Sequence, residues 1–363
     1  MFCAQLAISV IALLATPAAL CAEEFAVGAD LSFLTAAEED GREFKDNGVH
    51  KPGLQIFKDH GYNWIRLRLF HTPTELPNDL DYTIALAKAA KEQGFKFLLN
   101  YHYSDTWADP QKQFLPQAWK KMTHDELEVA VFEYTRDTVA AFREAGATPD
   151  MVQIGNEVIG GMLWPDGRLP KNWGNFADLL KAGIRGVDAG IVDAGIVDGE
   201  GRAAERPLIM IHIDRGGDRG ATEFFFDNCR KHGVEFDVIG QSYYPWWHGT
   251  LDDLRENLAF MANEYEKDIY VVEVAYNWRR AEYREKPGPY PETPEGQRQF
   301  LVDVDRVVRA TPHGRGKGVF WWEPAVPHSP IAGRGMFDDD DNALPVVNVF
   351  DPPIHVASPV TGE

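Results

Sequence analysis

The sequence has very little cysteine. Its 363 residues include only Cys3, Cys21 and Cys229, and the first two fall in an N-terminal segment that we expect to be removed on export. Cys229 would then stand alone, so the mature domain would contain no internal disulfide. A disulfide-stapled scaffold is thereby excluded. The fold must rest on an apolar core, for which a hydrophobic content of 44% is sufficient.

The chain is also poor in positive charge. It carries 36 Lys and Arg against 56 Asp and Glu, which gives a formal net charge of -20 at pH 7. An acidic surface repels nucleic acids and anionic membranes, so neither is expected as a partner. The same charge disfavours a polyanionic substrate and favours a neutral one.

Long hydrophobic runs are missing as well. No stretch after the N-terminal segment could span a bilayer, so we expect no membrane contact of the mature form. The short apolar run 6–14 is followed by small residues, and the first charged side chain is Glu23. This pattern predicts a secretory signal peptide over residues 1–22, and hence a secreted protein, periplasmic or extracellular. Because no Lys or Arg precedes the run, a buried first helix is the alternative; Leu20 before Cys21 disfavours a lipid anchor.

The sequence does contain a regular alternation of strand-like runs and helix-length segments. Eight runs predict strands: 27–33, 63–69, 95–103, 151–157, 207–213, 237–244, 269–276 and 318–322. Strand followed by helix is the βαβ rhythm, and eight such units close an α/β fold, the (β/α)8 TIM barrel. We expect a single domain over residues 23–355, followed by a polar tail at 356–363. An open doubly wound sheet is the alternative, but no G-x-G-x-x-G follows the first run.

Two segments interrupt this rhythm. Residues 187–191 are repeated at 192–196, a unit too short for a solenoid, which we interpret as a local extension of a helix or its exit loop. Residues 279–294 are rich in Pro, Glu and Arg and predict a long loop on the rim of the barrel. Elsewhere, Thr123 and Glu126 have the spacing of a capping box, which predicts the start of a helix.

Two of the runs carry a glutamate at the edge where a barrel places its chemistry. Run 151–157 ends in Asn156 and Glu157, and run 269–276 contains Glu273. Two carboxyl groups at the ends of buried parallel strands are what glycosidic hydrolysis requires. The alternative is that each glutamate only ends a strand in contact with water.

Other strand ends carry side chains that suit sugar recognition. Charged and amide groups hold hydroxyls, while the apolar faces of sugar rings lie on aromatic planes. The candidate substrate-binding residues are Arg68, His102, Asp105, Trp107, Asn156, His212, Asp214, Tyr244, Trp246 and Trp322.

Several of these positions have a structural alternative. Arg68 could instead form a salt bridge at the barrel mouth, and a lone histidine is often only a structural one. Trp64 and Trp119 are expected to pack in the core or against helices. Trp321 and Trp322 are adjacent on a strand, so only one of them can point into the barrel mouth.

The sequence predicts no catalytic metal and no cofactor. His102, Asp105, His212 and Asp214 could ligate in principle, but the chain contains no H-E-x-x-H motif. The acidic run 338–341 fails the EF-hand spacing, because no Gly falls at the sixth position and no Glu at the twelfth. We interpret it as a solvated loop, with a structural calcium ion as the alternative.

Short phrases along most of the chain carry a family resemblance. The most specific reads His-Tyr-Ser-Asp-Thr-Trp-Ala-Asp-Pro and runs from His102 to Pro110. The others are Gly28-Ala29-Asp30, Arg66-Leu67-Arg68, Gln153-Ile154-Gly155-Asn156-Glu157, Ser242-Tyr243-Tyr244-Pro245-Trp246-Trp247, Val271-Val272-Glu273 and Val319-Phe320-Trp321-Trp322-Glu323-Pro324. On these motifs the chain resembles the glycoside hydrolase family 53 endo-β-1,4-galactanases, members of a large clan of (β/α)8 retaining glycosidases.

The resemblance implies endo-hydrolysis of β-1,4-galactan, the side chain of pectic arabinogalactan, with retention of configuration. Carried over by position, Glu157 is similar to the acid/base and Glu273 to the nucleophile, and Asn156 would hold the sugar 2-hydroxyl. The residues that would surround the sugar in the cleavage subsite are Arg68, His212, Tyr244 and Trp322. The expected partner is a neutral polysaccharide, and the protein is expected to be a monomer.

A retaining mechanism sets two further expectations. The two carboxyl groups should lie about 5 to 5.5 Å apart. Their pKa values should be pushed apart, that of Glu157 upward and that of Glu273 downward near Arg68. Two rival functions stay open: another glycanase of the clan acting on mannan, xylan or glucan, and a non-catalytic carbohydrate-binding barrel.

Overall fold

The computed structural model describes residues 24–192, 206–280, 288–326 and 331–352. The expected signal peptide, most of the second pentapeptide, part of the long rim loop and the C-terminal tail lie outside these ranges. Within the described residues, none of the helices has both the length and the apolar character of a membrane span.

Eight parallel strands form a closed barrel, which confirms the predicted α/β architecture and overturns the open-sheet alternative. Each strand pairs with its neighbours in sequence, and the last pairs with the first. The strands are β1 (Ala26–Asp30), β2 (Trp64–Leu69), β3 (Lys96–Tyr101), β4 (Met151–Gln153), β5 (Leu208–Ile213), β6 (Val238–Tyr243), β7 (Asp268–Val274) and β8 (Gly316–Trp321).

Helices follow or connect these strands around the outside. They are α1 (Leu34–Glu39), α2 (Gly53–Asp59), α3 (Leu80–Glu92), α4 (His124–Glu144), α5 (Trp173–Val192), α6 (Arg219–Lys231), α7 (Leu251–Glu264) and α8 (Pro294–Arg309). The predicted capping box at Thr123 and Glu126 is confirmed, with both reciprocal hydrogen bonds present at the start of α4. The first pentapeptide lies within α5, and whether the second copy extends this helix or its exit loop stays a prediction.

Several predicted strands stop earlier than the apolar pattern suggests; run 27–33, for example, is a strand only to Asp30. Run 151–157 is a strand only to Gln153, because Gly155 and Glu157 take positive φ values of 78° and 48°. Tyr103, with φ of 49°, lies beyond the end of β3 in the same way. In the last two places the strand pairing ends at the point where the side chains of the rim begin.

Apolar side chains fill the barrel interior, so the barrel is a packed core and not a pore. The buried interior cluster consists of Ala26, Trp64, Leu98, Met151, Met210, Val238, Tyr270, Val272 and Phe320. A Cβ on Gly28 would lie 2.2 Å from the Phe320 ring, so only glycine lets that ring occupy the interior. A larger cluster packs the helices onto the sheet and includes Trp119, which confirms the core placement of Trp64 and Trp119.

Because side chains fill the interior, a substrate cannot enter the barrel itself, and the candidate site lies at its rim. The loops after the carboxyl ends of the strands form a cleft of about 1050 Å³, and most of the predicted site residues line it. Trp322 lines this cleft, whereas Trp321 is buried and donates its indole N–H to the Arg334 carbonyl at 2.9 Å. The two adjacent indoles therefore face opposite ways, as expected.

Candidate active site

Glu157 is held at the rim by an unusual backbone conformation. It lies in the left-handed region with φ of 48° and ψ of 52°, directly after β4. A non-glycine residue in this region costs on the order of 1 kcal/mol or more, so the surrounding structure must impose it. The turn directs the carboxyl group toward the cleft while leaving only 9% of the residue exposed.

Glu273 reaches the same place from within a strand. It belongs to β7, and its side chain is buried at the floor of the cleft. One carboxylate oxygen of Glu273, one of Glu157 and a ring nitrogen of His212 all lie within 4.8 Å of one another. Inverting glycosidases separate their carboxyl groups by roughly 6.5 to 9.5 Å to admit a water molecule, so this short approach fits the retaining geometry.

The Glu273 carboxylate is contacted by a cation and a hydroxyl. Its Oε1 lies 2.8 Å from an Arg66 guanidinium nitrogen, and its Oε2 accepts a hydrogen bond of 3.1 Å from the Tyr244 hydroxyl. Burial raises the pKa of Glu273, while Arg66 and Tyr244 oppose the rise. The expectation of a lowered pKa near Arg68 is thus wrong in two respects: the contact is made by Arg66, and burial outweighs it.

Arg66 is the centre of a buried polar network that sequence reasoning missed. Its guanidinium donates to Asp30 at 3.1 Å, Gln153 at 3.1 Å and Asn156 at 2.9 Å, in addition to its contact with Glu273. The sequence does place Arg66 on the same face as Arg68, because the two residues are two apart on one strand. Alternation alone could not show which of them would reach Glu273.

Arg68 forms a buried ion pair at the barrel mouth, which was the alternative to a direct substrate contact. Its guanidinium contacts both Glu323 and Asp30, the latter at 3.3 Å. The same group lies 4.3 Å from the centre of the Trp107 ring and 4.7 Å from that of Phe33. Arg68 also lines the cleft. Its main contacts, however, are cation–π packing on the Trp107 and Phe33 rings and ion pairs with the Glu323 and Asp30 carboxylates.

The Glu157 carboxyl group is surrounded by negative charge. Burial is the main reason that its pKa lies well above the usual range, and repulsion from Glu273 and Asp214 adds to the shift. Burial also raises the pKa of Asp214 to about 7, although Arg215 beside it acts in the opposite direction. The expected upward shift for Glu157 is confirmed, and it is the shift that a general acid requires.

The two predicted histidines are buried and neutral. Burial and the nearby Arg66 guanidinium hold the pKa of both rings well below the usual range; Arg68 adds to the effect at His102. His102 Nδ1 accepts a hydrogen bond of 2.9 Å from the Ala108 backbone N–H, which fixes the loop after β3. His212 was predicted to surround the sugar, but it is fully buried behind Glu157 and is not among the described residues that line the cleft. Its Nε2 lies 2.9 Å from the Ser242 hydroxyl.

Not every predicted residue reaches the cleft. Of the predicted aromatic side chains, Trp107, Tyr244 and Trp322 line it, and Trp247 joins them with its indole half exposed on the rim. Trp246 packs behind this wall, 5.7 Å from the Tyr276 ring centre.

Asp105 was predicted to bind the substrate, but its carboxylate is bonded elsewhere. Its carboxylate accepts from the backbone N–H groups of Thr72 at 3.0 Å and Gln117 at 2.7 Å. It therefore ties two rim loops together, and it is not among the described residues that line the cleft.

The described residues offer a single grouping that could hold a metal, namely Glu157, His212 and Glu273. Both nitrogens of His212 already have hydrogen-bond partners, so this ring has no free lone pair directed at an ion. In the acidic run, Asp338 Oδ1 accepts from the Asp340 and Asn342 backbones, which makes a loop bonded to itself. The expectation that no cofactor is needed stays a prediction.

A closed (β/α)8 barrel with two buried carboxyl groups under a wall of aromatic rings defines a retaining glycoside hydrolase. The model of glycosyl hydrolase family 53 matches residues 26–350, and the chain belongs to this family.

Individual relatives are similar to this chain over most of its length. A Niallia circulans protein described as uncharacterized in the bgaB 5′ region is 44% identical over 322 residues, which cover 84% of each chain. An arabinogalactan endo-β-1,4-galactanase of Thermothelomyces thermophilus is 35% identical over 341 residues, covering 89% of this chain and 98% of the relative. A solved fungal β-1,4-galactanase superposes with a TM-score of 0.81 at 34% identity, covering 90% of this chain and 98% of the other.

Proposed function

We propose that the protein is an endo-β-1,4-galactanase that cleaves internal β-1,4-galactosidic bonds of galactan and arabinogalactan with retention of configuration. The observation that carries the proposal is the close approach of Glu157 and Glu273 in an open, aromatic-lined cleft. Kinship with galactanases supports the choice of polysaccharide.

In the first step, Glu273 attacks the anomeric carbon and Glu157 gives its proton to the departing glycosidic oxygen. The bond from the anomeric carbon to that oxygen breaks as the ester bond to Glu273 forms. The Arg66 and Tyr244 contacts favour an ionised Glu273, whereas burial beside this charge keeps Glu157 protonated. The environments thus assign one carboxyl group to each part of the step.

In the second step, Glu157 changes from acid to base. Once Glu273 is esterified its negative charge is gone, and with it one cause of the raised pKa of Glu157. Glu157 can then hold its charge long enough to take a proton from water as the water attacks the anomeric carbon. Loss of the repulsion from Glu273 therefore favours the change of Glu157 from acid to base.

Asn156 is positioned to bind the sugar and is also hydrogen-bonded to the buried polar network around Arg66. Its amide oxygen accepts from Arg66 at 2.9 Å, and its amide nitrogen donates to the Ala108 carbonyl at 2.9 Å. An amide nitrogen carries two hydrogens, so one stays available for a hydroxyl of the substrate. This agrees with the proposed contact to the 2-hydroxyl.

A substrate panel tests the proposed specificity. Incubation with β-1,4-galactan, galactomannan, xylan and glucan should produce new reducing ends from galactan alone, with Glu157→Ala as the matched control of strongly reduced activity. Because the cleft presents aromatic rings along its walls, several sugar units should bind at once. Early products should be short oligosaccharides. Galactose released singly from the outset would show an exo-acting pocket, and binding without cleavage would favour a carbohydrate-binding barrel.

We also propose that the protein is exported and that residues 1–22 are removed. The support is the apolar run at 6–14, the small residues after it and the first charged residue at Glu23. Intact mass measurement of the protein recovered outside the cytoplasm should show a chain beginning at Glu23. An exported chain that retains Met1 would contradict the proposal. The expectation of a monomer stays a prediction.

A further inference from the structure

A buried serine connects Glu157 to a buried histidine. Ser242, at the rim end of β6, has its Oγ 2.7 Å from Glu157 Oε1 and 2.9 Å from His212 Nε2. Both Ser242 and His212 are fully buried, with exposed fractions of 0%. Three polar groups from three different strands or strand ends therefore form a continuous chain behind the cleft.

The direction of each hydrogen bond in this chain is fixed by the histidine. Burial and nearby positive charge hold the pKa of His212 well below the usual range, so its ring is neutral and carries one N–H. The Glu157 backbone N–H points at His212 Nδ1 at 3.4 Å, which makes Nδ1 the acceptor. Nε2 must then carry the hydrogen and donate it to Ser242 Oγ, and the single hydroxyl hydrogen of Ser242 is left for Glu157 Oε1.

We infer that Ser242, oriented by His212, is a positioning residue that occupies Glu157 Oε1 as an acceptor and so leaves Oε2 to carry the catalytic proton toward the substrate. This inference rests on the proposed role of Glu157 as the acid/base. A carboxyl group that accepts at one oxygen presents its proton on the other. The same donor stabilises the carboxylate that Glu157 becomes when it acts as base.

The groups around Glu157 act on its ionisation in opposite directions. Glu273 on β7, Asp214 after β5 and Asp109 in the loop after β3 all oppose ionisation, and Ser242 is the neighbour that favours it. Without the hydroxyl, Glu157 would be a weaker acid with a less defined orientation. The structure thus predicts an effect on the timing of proton transfer and not on sugar binding.

The test is the pH dependence of Ser242→Ala. Activity depends on a protonated Glu157, so it is lost as pH rises through the pKa of that group. Removing a donor that favours the ionised form raises this pKa, and the alkaline limb of kcat/KM on galactan should move up by about one pH unit. We expect kcat below this limb to fall about tenfold, with KM changed less than about twofold.

Two comparisons make the result decisive. Ser104→Ala deletes the hydroxyl of another buried serine, which has no contact with either carboxyl group, and should leave the limb in place. On an activated aryl galactoside, Ser242→Ala should lower kcat in the otherwise native enzyme, whose second step uses Glu157 as base. In a Glu157→Ala background it should cost nothing further in kcat, because its effect acts through that carboxyl group. An unmoved limb, or an equal loss in both backgrounds, would overturn the inference.

Failure of the proposed function would look different. If galactan is not a substrate, the pKa of Glu157 can still be measured by carbon-13 NMR of labelled glutamate, using Glu157→Gln for assignment. A higher pKa in Ser242→Ala would then support the positioning role even though the substrate was wrong. An unchanged pKa in that experiment would overturn the positioning role by itself.

Discussion

Replacing Glu157 with alanine is expected to reduce galactan hydrolysis by about 10²- to 10⁴-fold, the usual worth of a general acid, while sparing the first step on an activated substrate. A galactobioside with an acidic phenol needs no protonation of its leaving group. Glu273 keeps its contacts with Arg66 and Tyr244 in this variant, so the covalent intermediate should still form. Release of the phenol should show a rapid burst followed by slow turnover.

A small anion should restart the stalled variant. Azide could enter the space left by the Glu157 side chain, which lines the cleft, and attack the intermediate without a base. Two inversions in succession would give the β-azide. Product analysis by NMR distinguishes this outcome from direct displacement, which would give the α-azide.

The matched variant is Glu273→Ala, which removes the covalent step itself. Even the activated substrate should then fail to turn over, because no carboxylate remains to attack the anomeric carbon. The contrast between the two variants on one substrate assigns the two roles. If Glu273→Ala retained activity on the activated galactobioside and Glu157→Ala lost it, the assignment would be reversed.

The second large effect is expected at Arg66. Arg66→Met removes a fully buried guanidinium and leaves Asp30 and Glu273 buried without their shared cation. Breaking one side of a buried ion pair costs roughly 3 to 5 kcal/mol of unfolding free energy. Arg66→Lys should rescue little of it, since a single ammonium cannot match the planar fork that serves Asp30, Gln153, Asn156 and Glu273.

The pH profile distinguishes an electrostatic role of Arg66 from a purely structural one. Arg66 opposes the burial that raises the pKa of Glu273, so its loss should raise that pKa further. Because the nucleophile must be ionised, the acidic limb of kcat/KM should move to higher pH. Arg68→Met is the control: it also breaks a pair with Asp30, but its partner at the rim is Glu323. Urea unfolding should show both variants destabilised, and equal acidic limbs would contradict the account.

The sequence predicts the barrel well, because alternation of apolar runs with helical segments depends on local pattern. Eight runs were enough to place every barrel strand, and the rule that chemistry lies at carboxyl ends brought Glu157 and Glu273 to one cleft. Strand ends do not follow from the same pattern, since the turn at Glu157 depends on a left-handed backbone that apolar periodicity does not encode.

Partners within the site could not be predicted in the same way. Arg66 and Glu273, and likewise Ser242 and Glu157, are far apart in sequence and meet only through the closure and stagger of the barrel. Asp105, by contrast, was predicted to be in the site but does not line the cleft. It follows a strand, but a bend turns its carboxylate toward backbone N–H groups of neighbouring loops. Side-chain direction beyond a strand end is set by tertiary contacts and not by alternation.

The most direct test of the mechanism is to locate the covalent intermediate. Glu157→Ala mixed with 2,4-dinitrophenyl β-galactobioside should accumulate a glycosylated enzyme, which can be denatured, digested and mapped by mass spectrometry. We expect one added galactobiosyl group on the peptide that contains Glu273, attached as an ester to that residue. An adduct on any other residue, or free sugar released with no adduct at all while the phenol burst is seen, would contradict it.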